Sequence, residues 1–324
     1  MPTPRLLNLS AAIAARRIAL QYLAAALKAR RRLRDATDDD ALHDFRVALR
    51  RLRSTLRAYR PWINARVVPR KLRKRLRRLA RTTNAARDAE VALAWVRAQR
   101  RLTLHARPGV QRFMQELDLR RERAYAEIRE EATAEFDRLY PRLRTALRPM
   151  ESRRPVTRLR DVVSRLMLQQ AEALESDLKR IRATADHETI HAARIDAKRL
   201  RYLLEPLADE IDGTARLIAR LKRMQDRFGE FTDANVLARE LAEAARRIGG
   251  DWAAHSTQQV LAGARKPMHE PQALLGVLLL ATRVRRRQQL GFREIHRGYL
   301  GRHIAQVLAP IRRTAHALAP QLVE

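Results

Sequence analysis

The chain has 324 residues, 46% of them hydrophobic, so it can bury a core and is not expected to be disordered. Cysteine is absent, which excludes disulfides, thiolate metal sites and cysteine nucleophiles. The formal net charge is +32, with 68 lysines and arginines against 36 acidic residues, and such an excess favours a strongly negative partner. Only ten glycines occur, and alanine, leucine and arginine, which are good helix formers, dominate. The sequence therefore predicts an all-α fold.

The N-terminal segment has no uninterrupted apolar region of the kind found in signal peptides, because Arg16 and Arg17 fall within it. The most apolar stretch, residues 273–282, is about half the length needed to cross a bilayer. We therefore expect a cytoplasmic protein without a membrane partner.

The first half of the chain contains four segments of helical periodicity, at roughly residues 8–34, 41–60, 67–104 and 109–148. The acidic run Asp38–Asp40 favours a helix start before the second segment, and Pro61 favours its end. Two prolines bracket a polar run at 149–155, which predicts a linker. We expect two antiparallel four-helix bundles, at 1–150 and 151–324, with extra helices after about residue 250. Two segments of this extension, HEPQALLG and GFREIHRGYLG, are interpreted as turns.

Two sequence blocks of the first half recur in the second half in the same order. HDFRVALRRLRSTL at 43–56 aligns with HAARIDAKRLRYLL at 191–204, an offset of 148. A leucine seam with basic flanks at 71–79 aligns with 216–224, and RDAEV at 87–91 aligns with TDANV at 232–236, both at an offset of 145. This agreement in charge, apolar class and order predicts an internal duplication, with a three-residue deletion in a connecting loop.

Basic residues of the second helix form a stripe along one edge of its apolar face. A 3-4-3-4 spacing places them within one narrow arc: His43, Arg46, Arg50, Arg53 and Arg57. The neighbouring arc is apolar and should face the core: Leu42, Phe45, Leu49, Leu52, Leu56 and Tyr59. The second half repeats the stripe, with Glu205 at the position of Arg57: His191, Arg194, Lys198 and Arg201. Because arginine offers a rigid fork of donors that suits phosphate oxygens, the stripes predict a site for a polyanion.

The third helix has a thin apolar seam, Leu72, Leu76 and Leu79, within an otherwise basic circumference. We assign members of this circumference and of the aligned helix in the second half to the anion site: Lys71, Lys74, Arg75, Arg78, Arg220, Lys222 and Arg223. Many like charges without acidic partners destabilise a helix, and a bound anion would compensate for this. The alternative for the third helix alone is a solvated basic face.

Three segments, HDFRVALRRLR, HAARIDAKRLRYLLE and LKRMQDRFGEFTDANVL, together resemble the CHAD family, the conserved histidine α-helical domain. The resemblance covers most of residues 10–250. It implies two four-helix bundles related by a pseudo-twofold axis, with a basic cavity between them that binds inorganic polyphosphate. Some members localise to polyphosphate or polyhydroxyalkanoate granules. Many relatives carry an adjoining triphosphate-tunnel domain with an E-x-E-x-K signature; this chain has none, so hydrolytic activity is not expected.

The family's functional positions can be carried over by alignment. Its basic and histidine sites fall on His43, Arg46, Arg50, Arg51, Arg53, His191, Arg194, Lys198, Arg199 and Arg201. Its aspartates fall on Asp88, Asp226 and Asp233, which we expect to orient arginines; a share in holding Mg²⁺ is the alternative for Asp88 and Asp233. One departure is that Arg81 and Asn84 stand where the second half has Asp226 and Gly229.

His43 and His191 are interpreted as phosphate contacts, with a structural hydrogen bond or a metal ligand as alternatives. His187 and His191 have the i,i+4 spacing of a zinc pair. A third ligand is missing and arginines surround them, so no metal and no other cofactor is predicted. No Ser–His–Asp set, GxxxxGKS loop or GxGxxG loop occurs, and we expect a binding protein rather than an enzyme.

Two other functions remain open. A nucleic-acid-binding protein would use the same charge, but aromatic residues make up only 5%, too few for base-stacking platforms. We therefore expect only weak, non-specific binding of nucleic acid. A scaffold on a polyhydroxyalkanoate granule would need an exposed apolar face, for which residues 274–280 are the candidate.

Overall fold

The computed structural model describes residues 5–35, 38–64, 66–148, 157–263 and 272–319. Within these ranges every regular secondary-structure element is a helix, and β pairing is limited to one isolated bridge. The predicted all-α fold is confirmed. None of the helices described combines the length and the apolar character that spanning a membrane would require.

The first half contains the four helices expected from the sequence. They are α1 (Ala11–Arg32), α2 (Asp39–Ala58), α3 (Arg70–Arg97) and a fourth that is divided by a π-helical turn. Its two parts are α4 (Arg107–Glu127) and α5 (Thr133–Ala146), joined through Ile128–Ala132. The Ser10 hydroxyl caps α1 by accepting a hydrogen bond from the backbone N–H of Ile13 at 3.2 Å, which satisfies one of the free donors of the first turn.

The second half contains α6 (Leu159–Arg180), α7 (His187–Leu204), α8 (Thr214–Leu261), α9 (Gln272–Tyr299) and α10 (His303–Leu318). The extra C-terminal helices are therefore present. The turn expected at GFREIHRGYLG is present only in its last two residues, Leu300 and Gly301, because α9 continues to Tyr299; Ile295, fully buried within α9, packs into the core. In HEPQALLG, residues 272–276 are helical and 269–271 lie outside the described residues, as does the linker at 149–155.

Helices at aligned positions of the two halves contact each other. α1 and α6 both have 22 residues and begin 148 positions apart, and α2 and α7 also begin 148 apart. The N–H of Ala11 donates to the carbonyl of Thr157, and the N–H of Leu159 donates to the carbonyl of Leu9, both at 2.9 Å. Such reciprocal contacts are those expected around a twofold axis. The duplication itself stays a prediction from the sequence.

The larger core contains apolar residues of both halves and fixes the orientation of α2. All six residues of its predicted apolar arc are at most 3% exposed: Leu42, Phe45, Leu49, Leu52, Leu56 and Tyr59. Phe45 meets Phe136 of α5 edge to face, with ring centroids 5.2 Å apart. Because this arc is buried, the neighbouring basic arc must lie along the rim of the core.

A second core lies where the end of α3 and the helices α4, α8 and α9 meet. A Cβ atom on Gly109 would overlap the carbonyl of Ala273, and one on Gly276 would lie 2.5 Å from the carbonyl oxygen of Ala106. Glycine at both positions therefore lets the backbones of α4 and α9 touch. This contact buries Val277 and Leu280 of the segment 274–280, although residues 275 and 278 remain exposed.

Candidate anion-binding site

The basic stripe of α2 lies at the edge of the larger core. Its central members, Arg46, Arg50 and Arg53, are half-buried, whereas His43 and Arg57 at the two ends are exposed. Half-buried guanidinium groups have lost part of their hydration, so their interaction with a bound anion is less screened than that of surface cations. The central members are therefore the stronger candidates for anion contacts.

The stripes of α2 and α7 meet side by side. Arg50 Nε donates a hydrogen bond to the hydroxyl of Tyr202 at 2.5 Å, and its guanidinium lies 5.9 Å from the ring centroid. Glu205 accepts from Arg51 Nε at 2.7 Å and lies 3.4 Å from Arg201 Nε. Glu205 thus binds one arginine from each half, which the sequence did not reveal. Arg51 and Arg201 are held together by this carboxylate.

Lys198 lies among cations from both stripes. Burial lowers its pKa to about 7, and the charges of Arg194, Arg50, Arg53 and Arg199 contribute further. Arg194 and Arg199 belong to α7 itself, whereas Arg50 and Arg53 belong to α2, so the pKa depends on how α2 and α7 meet. Without an anion, this amine is close to losing its proton.

Arg46, in the stripe of α2, also has a lowered pKa. Burial, followed by the charges of Arg50 and Arg87, lowers its pKa to about 10, while Glu90 and Asp88 oppose the shift. A guanidinium normally keeps its proton far above this range. The lowered value therefore reflects burial first, and then neighbouring positive charge that Glu90 and Asp88 oppose.

The two predicted aspartates of the repeated block lie close to each other. Burial and then the charge of Asp233 raise the pKa of Asp88, while Arg46 and Arg194 lower it. The Nε atoms of Arg46 and Arg194 are buried and have no hydrogen-bond partner among the described residues. Asp88 thus interacts with these arginines through its charge, and neither Asp88 nor Asp233 makes a direct hydrogen bond to their Nε atoms.

The histidines differ in their surroundings. Partial burial, then Arg194 and Lys198, lowers the pKa of His191 below its ordinary value, so its ring is neutral in the free protein at neutral pH. His187, one turn earlier, lies 3.0 Å through Nδ1 from the side-chain amide of Asn235. This contact gives His187 a structural partner.

A basic groove of about 530 Å³ lies between α2 and α3. Nine residues line it, and seven of them are cations: Arg53, Arg57, Arg60, Arg70, Arg73, Lys74 and Arg77. The other two are Leu56 and Leu76, so no acidic residue is among this lining, all of which belongs to the described part of the chain. The groove concentrates positive charge in one concave surface, which focuses the field on a ligand.

One groove arginine has a structural task. Arg73 donates to the carbonyl oxygens of Val68 and Leu56, both at 2.9 Å, and of Ile63. These carbonyls lie at the end of α2 and in the loop before α3, so Arg73 fixes the distance between the two walls of the groove.

Other predicted residues of α3 lie on a different flank. Arg75 forms a two-pronged ion pair with Glu135 of α5, at 2.6 and 2.7 Å. The charge of Arg78 also lowers the pKa of Glu135, so this side chain faces α5 as well. Lys71 is exposed and is absent from the groove lining. Of the four residues assigned on α3, only Lys74 lines the groove.

The predicted residues of α8 are likewise apart from the groove. Arg220, Lys222 and Arg223 are exposed. Arg223 and Asp226 both act on the pKa of Tyr299, which burial raises first, so they lie beside the end of α9. Their assignment to the anion site stays a prediction.

Four groove residues were missed from the sequence: Arg60, Arg70, Arg73 and Arg77. The spacing of Arg70, Lys74 and Arg77 is i, i+4, i+7, which places them on one face of α3. That spacing was available as a signal. The sequence did not show which flank of the leucine seam turns towards α2.

Comparisons with known proteins agree with this geometry. A family model described as the CHAD domain matches residues 17–242. The crystal structure of the CHAD domain from the plant Ricinus communis superposes with a TM-score of 0.62 and 21% identity, over 99% of each chain. PptA from Streptomyces chartreusis superposes with a TM-score of 0.66 and 15% identity, over 89% of this chain and 98% of its own. At these identities the two structures indicate a shared fold alone. No curated protein matches the chain.

Proposed function

The chain belongs to the CHAD family, and from that premise we propose that it binds inorganic polyphosphate in the basic groove and along the joined stripes of α2 and α7. The observation that carries the proposal is the groove lining of seven cations and two leucines. A polyphosphate chain presents only acceptor oxygens and repeated negative charge, so it needs donors and cations and nothing else.

The electrostatics of the free protein support the same ligand. Burial and then the charges of neighbouring cations lower the pKa values of Lys198 and Arg46. A linear polyanion would neutralise this excess along the whole site, so part of the binding free energy comes from relief of repulsion. A single small anion could neutralise only one part of it.

We further propose that the protein binds polyphosphate without hydrolysing it. The groove offers cations and leucines, and no carboxylate or hydroxyl of its lining is placed as a general base or nucleophile. Location at polyphosphate granules would follow directly from affinity for long chains.

The structure favours polyphosphate over nucleic acid. Two aromatic rings beside the stripes, Tyr22 and Tyr202, lie beneath the guanidinium groups of Arg51 and Arg50 respectively, each 5.9 Å away. Tyr202 is only 5% exposed, so neither a base nor a second ring can stack on it freely. For a role as an adaptor on polyhydroxyalkanoate, the apolar segment 274–280 is largely occupied by its contact with α4.

A competition assay at about 0.15 M salt tests the proposal. A labelled long polyphosphate is bound to the protein and displaced by unlabelled polyphosphate, duplex DNA or single-stranded RNA of equal phosphate content. We expect polyphosphate to displace the label at a concentration at least tenfold lower than either nucleic acid, a difference of about 1.4 kcal/mol. Equal or better displacement by DNA or RNA would reject polyphosphate as the preferred ligand.

A further inference from the structure

Lys198 differs from the other lysines of the chain in its exposure. Of the seven lysines, six lie in the part of the chain that the structure describes. Lys198 is half-buried within α7, whereas the other five are exposed: Lys28, Lys71, Lys74, Lys179 and Lys222. Partial burial of an ammonium group that has no carboxylate partner costs free energy. The position of Lys198 therefore requires an explanation other than stability.

The Lys198 amine has no partner in the described part of the protein, where it makes no hydrogen bond and no ion pair. Its Nζ atom is not sealed from solvent, so a small molecule can reach it. By contrast, the Nε atoms of Arg194, Arg199 and Arg201 on the same helix are sealed. The amine is thus both accessible and available for a reaction.

Contacts between α2 and α7 place this amine beside the stripe of α2. Arg50 Nε donates to the Tyr202 hydroxyl at 2.5 Å, and Tyr202 lies one turn after Lys198 on α7. Ser54, one turn after Arg50, lines the same cleft as Arg199, the residue that follows Lys198. The turn of α7 that carries Lys198 therefore packs against the turn of α2 between Arg50 and Ser54.

Four guanidinium groups surround the amine, Arg194 and Arg199 from α7 and Arg50 and Arg53 from α2. Arg53 is half-buried, and among the described residues it makes no hydrogen bond and no ion pair. Burial and then these four charges lower the pKa of Lys198 to about 7, so much of the amine is neutral at about pH 7.5. A neutral amine is a nucleophile, whereas an exposed lysine is normally protonated at this pH.

The junction thus brings a nucleophile and phosphate-binding groups together. Guanidinium groups bind phosphate oxygens, and a reagent held beside a nucleophile reacts faster than one that must be met from solution. An acyl phosphate carries both complementary parts, a phosphate group for the arginines and an adjoining carbonyl carbon for the amine. Inorganic polyphosphate occupies the same cations and offers no carbonyl carbon.

We propose that Lys198 is a site of covalent acylation by small acyl phosphates, whose phosphate group is held by Arg50, Arg53 and the other arginines around the amine. The neutral amine attacks the carbonyl carbon. An N–C bond forms, the C–O bond to the phosphate breaks, inorganic phosphate leaves, and a proton passes from the nitrogen to water. The product is an uncharged amide. The inference rests on the proposed function, since these cations also bind polyphosphate, and acylation removes one of them.

The test is treatment of the full chain with acetyl phosphate at about pH 7.5, followed by mass spectrometry of its peptides. We expect acetylation of Lys198 to be at least about tenfold faster than that of Lys28, which is exposed on α1. Long polyphosphate should slow acetylation of Lys198 and leave that of Lys28 unchanged. Equal rates at the two lysines would overturn the proposal.

A neutral acyl donor, the acetyl ester of N-hydroxysuccinimide, separates the phosphate contact from the reactivity of the amine. The preference for Lys198 over Lys28 should be at least about threefold smaller with this ester than with acetyl phosphate. Arg53→Ala should slow acetylation of Lys198 by acetyl phosphate at least about threefold and keep the rate with the ester within about twofold. Arg313→Ala, exposed on α10, which packs against α6, α8 and α9, is the matched control and should change neither rate. An equal preference for Lys198 with both donors would overturn the proposal.

The pH profile provides a further readout. At low acetyl phosphate concentration the rate reports the protonation of the free protein, so acetylation of Lys198 should level off above about pH 7. The rate at an exposed lysine rises about tenfold per pH unit up to about pH 9. The same steep rise at Lys198 would overturn the proposal. Failure of wild type to bind long polyphosphate would instead reject the proposed function, and acetylation of Lys198 is measured without that ligand.

Discussion

The basic groove of the first half and the aligned surface of the second half are formed by aligned helices but carry different charges. By the alignment of α2 with α7 and of α3 with α8, the seven groove cations correspond to Arg201, Glu205, Ala208, Ala215, Ile218, Ala219 and Lys222. Only two of these are cations, and one is acidic. The stripe, by contrast, is basic in both halves. The helices depend on the buried apolar arcs, which both halves keep, so the exposed charges could change without altering the fold.

The difference assigns different tasks to the two halves. In the second half, Glu205 stands where the first half has Arg57, and it holds Arg51 and Arg201 together across the junction. In the first half the same position contributes a cation to the groove. At this aligned position the second half therefore stabilises the junction of α2 with α7, while the first half contributes a cation to the groove.

The largest expected effect comes from removing groove cations. Lys74→Ala/Arg77→Ala should weaken the binding of long-chain polyphosphate by about thirtyfold, about 2 kcal/mol, because two charge-assisted contacts are lost. Lys222→Ala, at the position aligned with Arg77, should weaken it by less than about twofold. Calorimetric titration at about 0.15 M salt measures both. Similar losses in the two variants would contradict the functional asymmetry of the halves.

Removing cations from the stripe of either half should weaken polyphosphate binding to the same extent. Binding of long chains should weaken by about tenfold, about 1.4 kcal/mol, in each of two double variants, Arg46→Ala/Arg50→Ala and Arg194→Ala/Lys198→Ala. Short chains should lose less, because they do not span both stripes and gain nothing from a second linked contact. Titration with long and short chains measures this, with helical content and melting temperature as controls for folding. If the variant at 194 and 198 binds long chains like wild type, only the first half takes part.

A smaller effect is expected from pH. The pKa of Lys198 is about 7 in the free protein, and a bound anion raises it, so binding takes up a proton. Affinity should be level below pH 7 and fall above it, by at most about tenfold per pH unit. Lys198→Arg keeps its charge and should remove this fall, whereas His191→Gln should not. Titration in buffers of different ionisation enthalpy counts the protons, and no uptake at pH 7.5 would contradict the prediction.

The same pKa has a consequence for the stability of the free protein. Lys198 has an ordinary pKa of 10.5 when unfolded and a lower one when folded, so between these values the unfolded state binds more protons. The free energy of unfolding contributed by this group therefore rises as pH rises from about 7 towards 10.5. Denaturant titrations of wild type and Lys198→Met over this pH range measure this contribution as the difference between their free energies of unfolding.

The smallest effect concerns one glycine. A Cβ on Gly229 would lie 3.3 Å from Nε and Nη2 of Arg194, so the guanidinium must shift slightly; Asn84 occupies the aligned position in the first half. Gly229→Ala should raise the free energy of unfolding by up to about 1 kcal/mol through helix propensity. It should lower polyphosphate affinity about two- to threefold. Gly249→Ala, on the same helix with open space around it, should give the stability gain without the loss of affinity.

The sequence was sufficient for those features that depend on periodicity. The four helices of the first half and the buried arc of α2 followed from the 3.6-residue repeat, because burial of an apolar face is what holds a helix in place. The position of the α2 stripe at the core edge followed from the same repeat. The continuation of α9 through its glycines was not foreseen, because the apolar contacts of residues 292–299 come from helices distant in sequence.

The site was predicted less completely than the fold. The leucine seam of α3 is narrow and has cations on both sides, so the sequence does not say which flank faces α2 and which faces α5. Glu135 decides this by pairing with Arg75, and it lies 60 positions away. Contacts between distant segments are the information that a single sequence withholds.

The two glycines at which α4 and α9 touch bear on where a self-sufficient folding unit ends. The match to the family model ends at residue 242, inside α8, yet α9 lies beyond it and closes the second core. A fragment cut at the limit of similarity would leave Val110, Phe113 and Leu117 facing water. The family model and the packed core thus end at different places in this chain, and the backbone contact at Gly109 and Gly276 joins the segments on either side of residue 242.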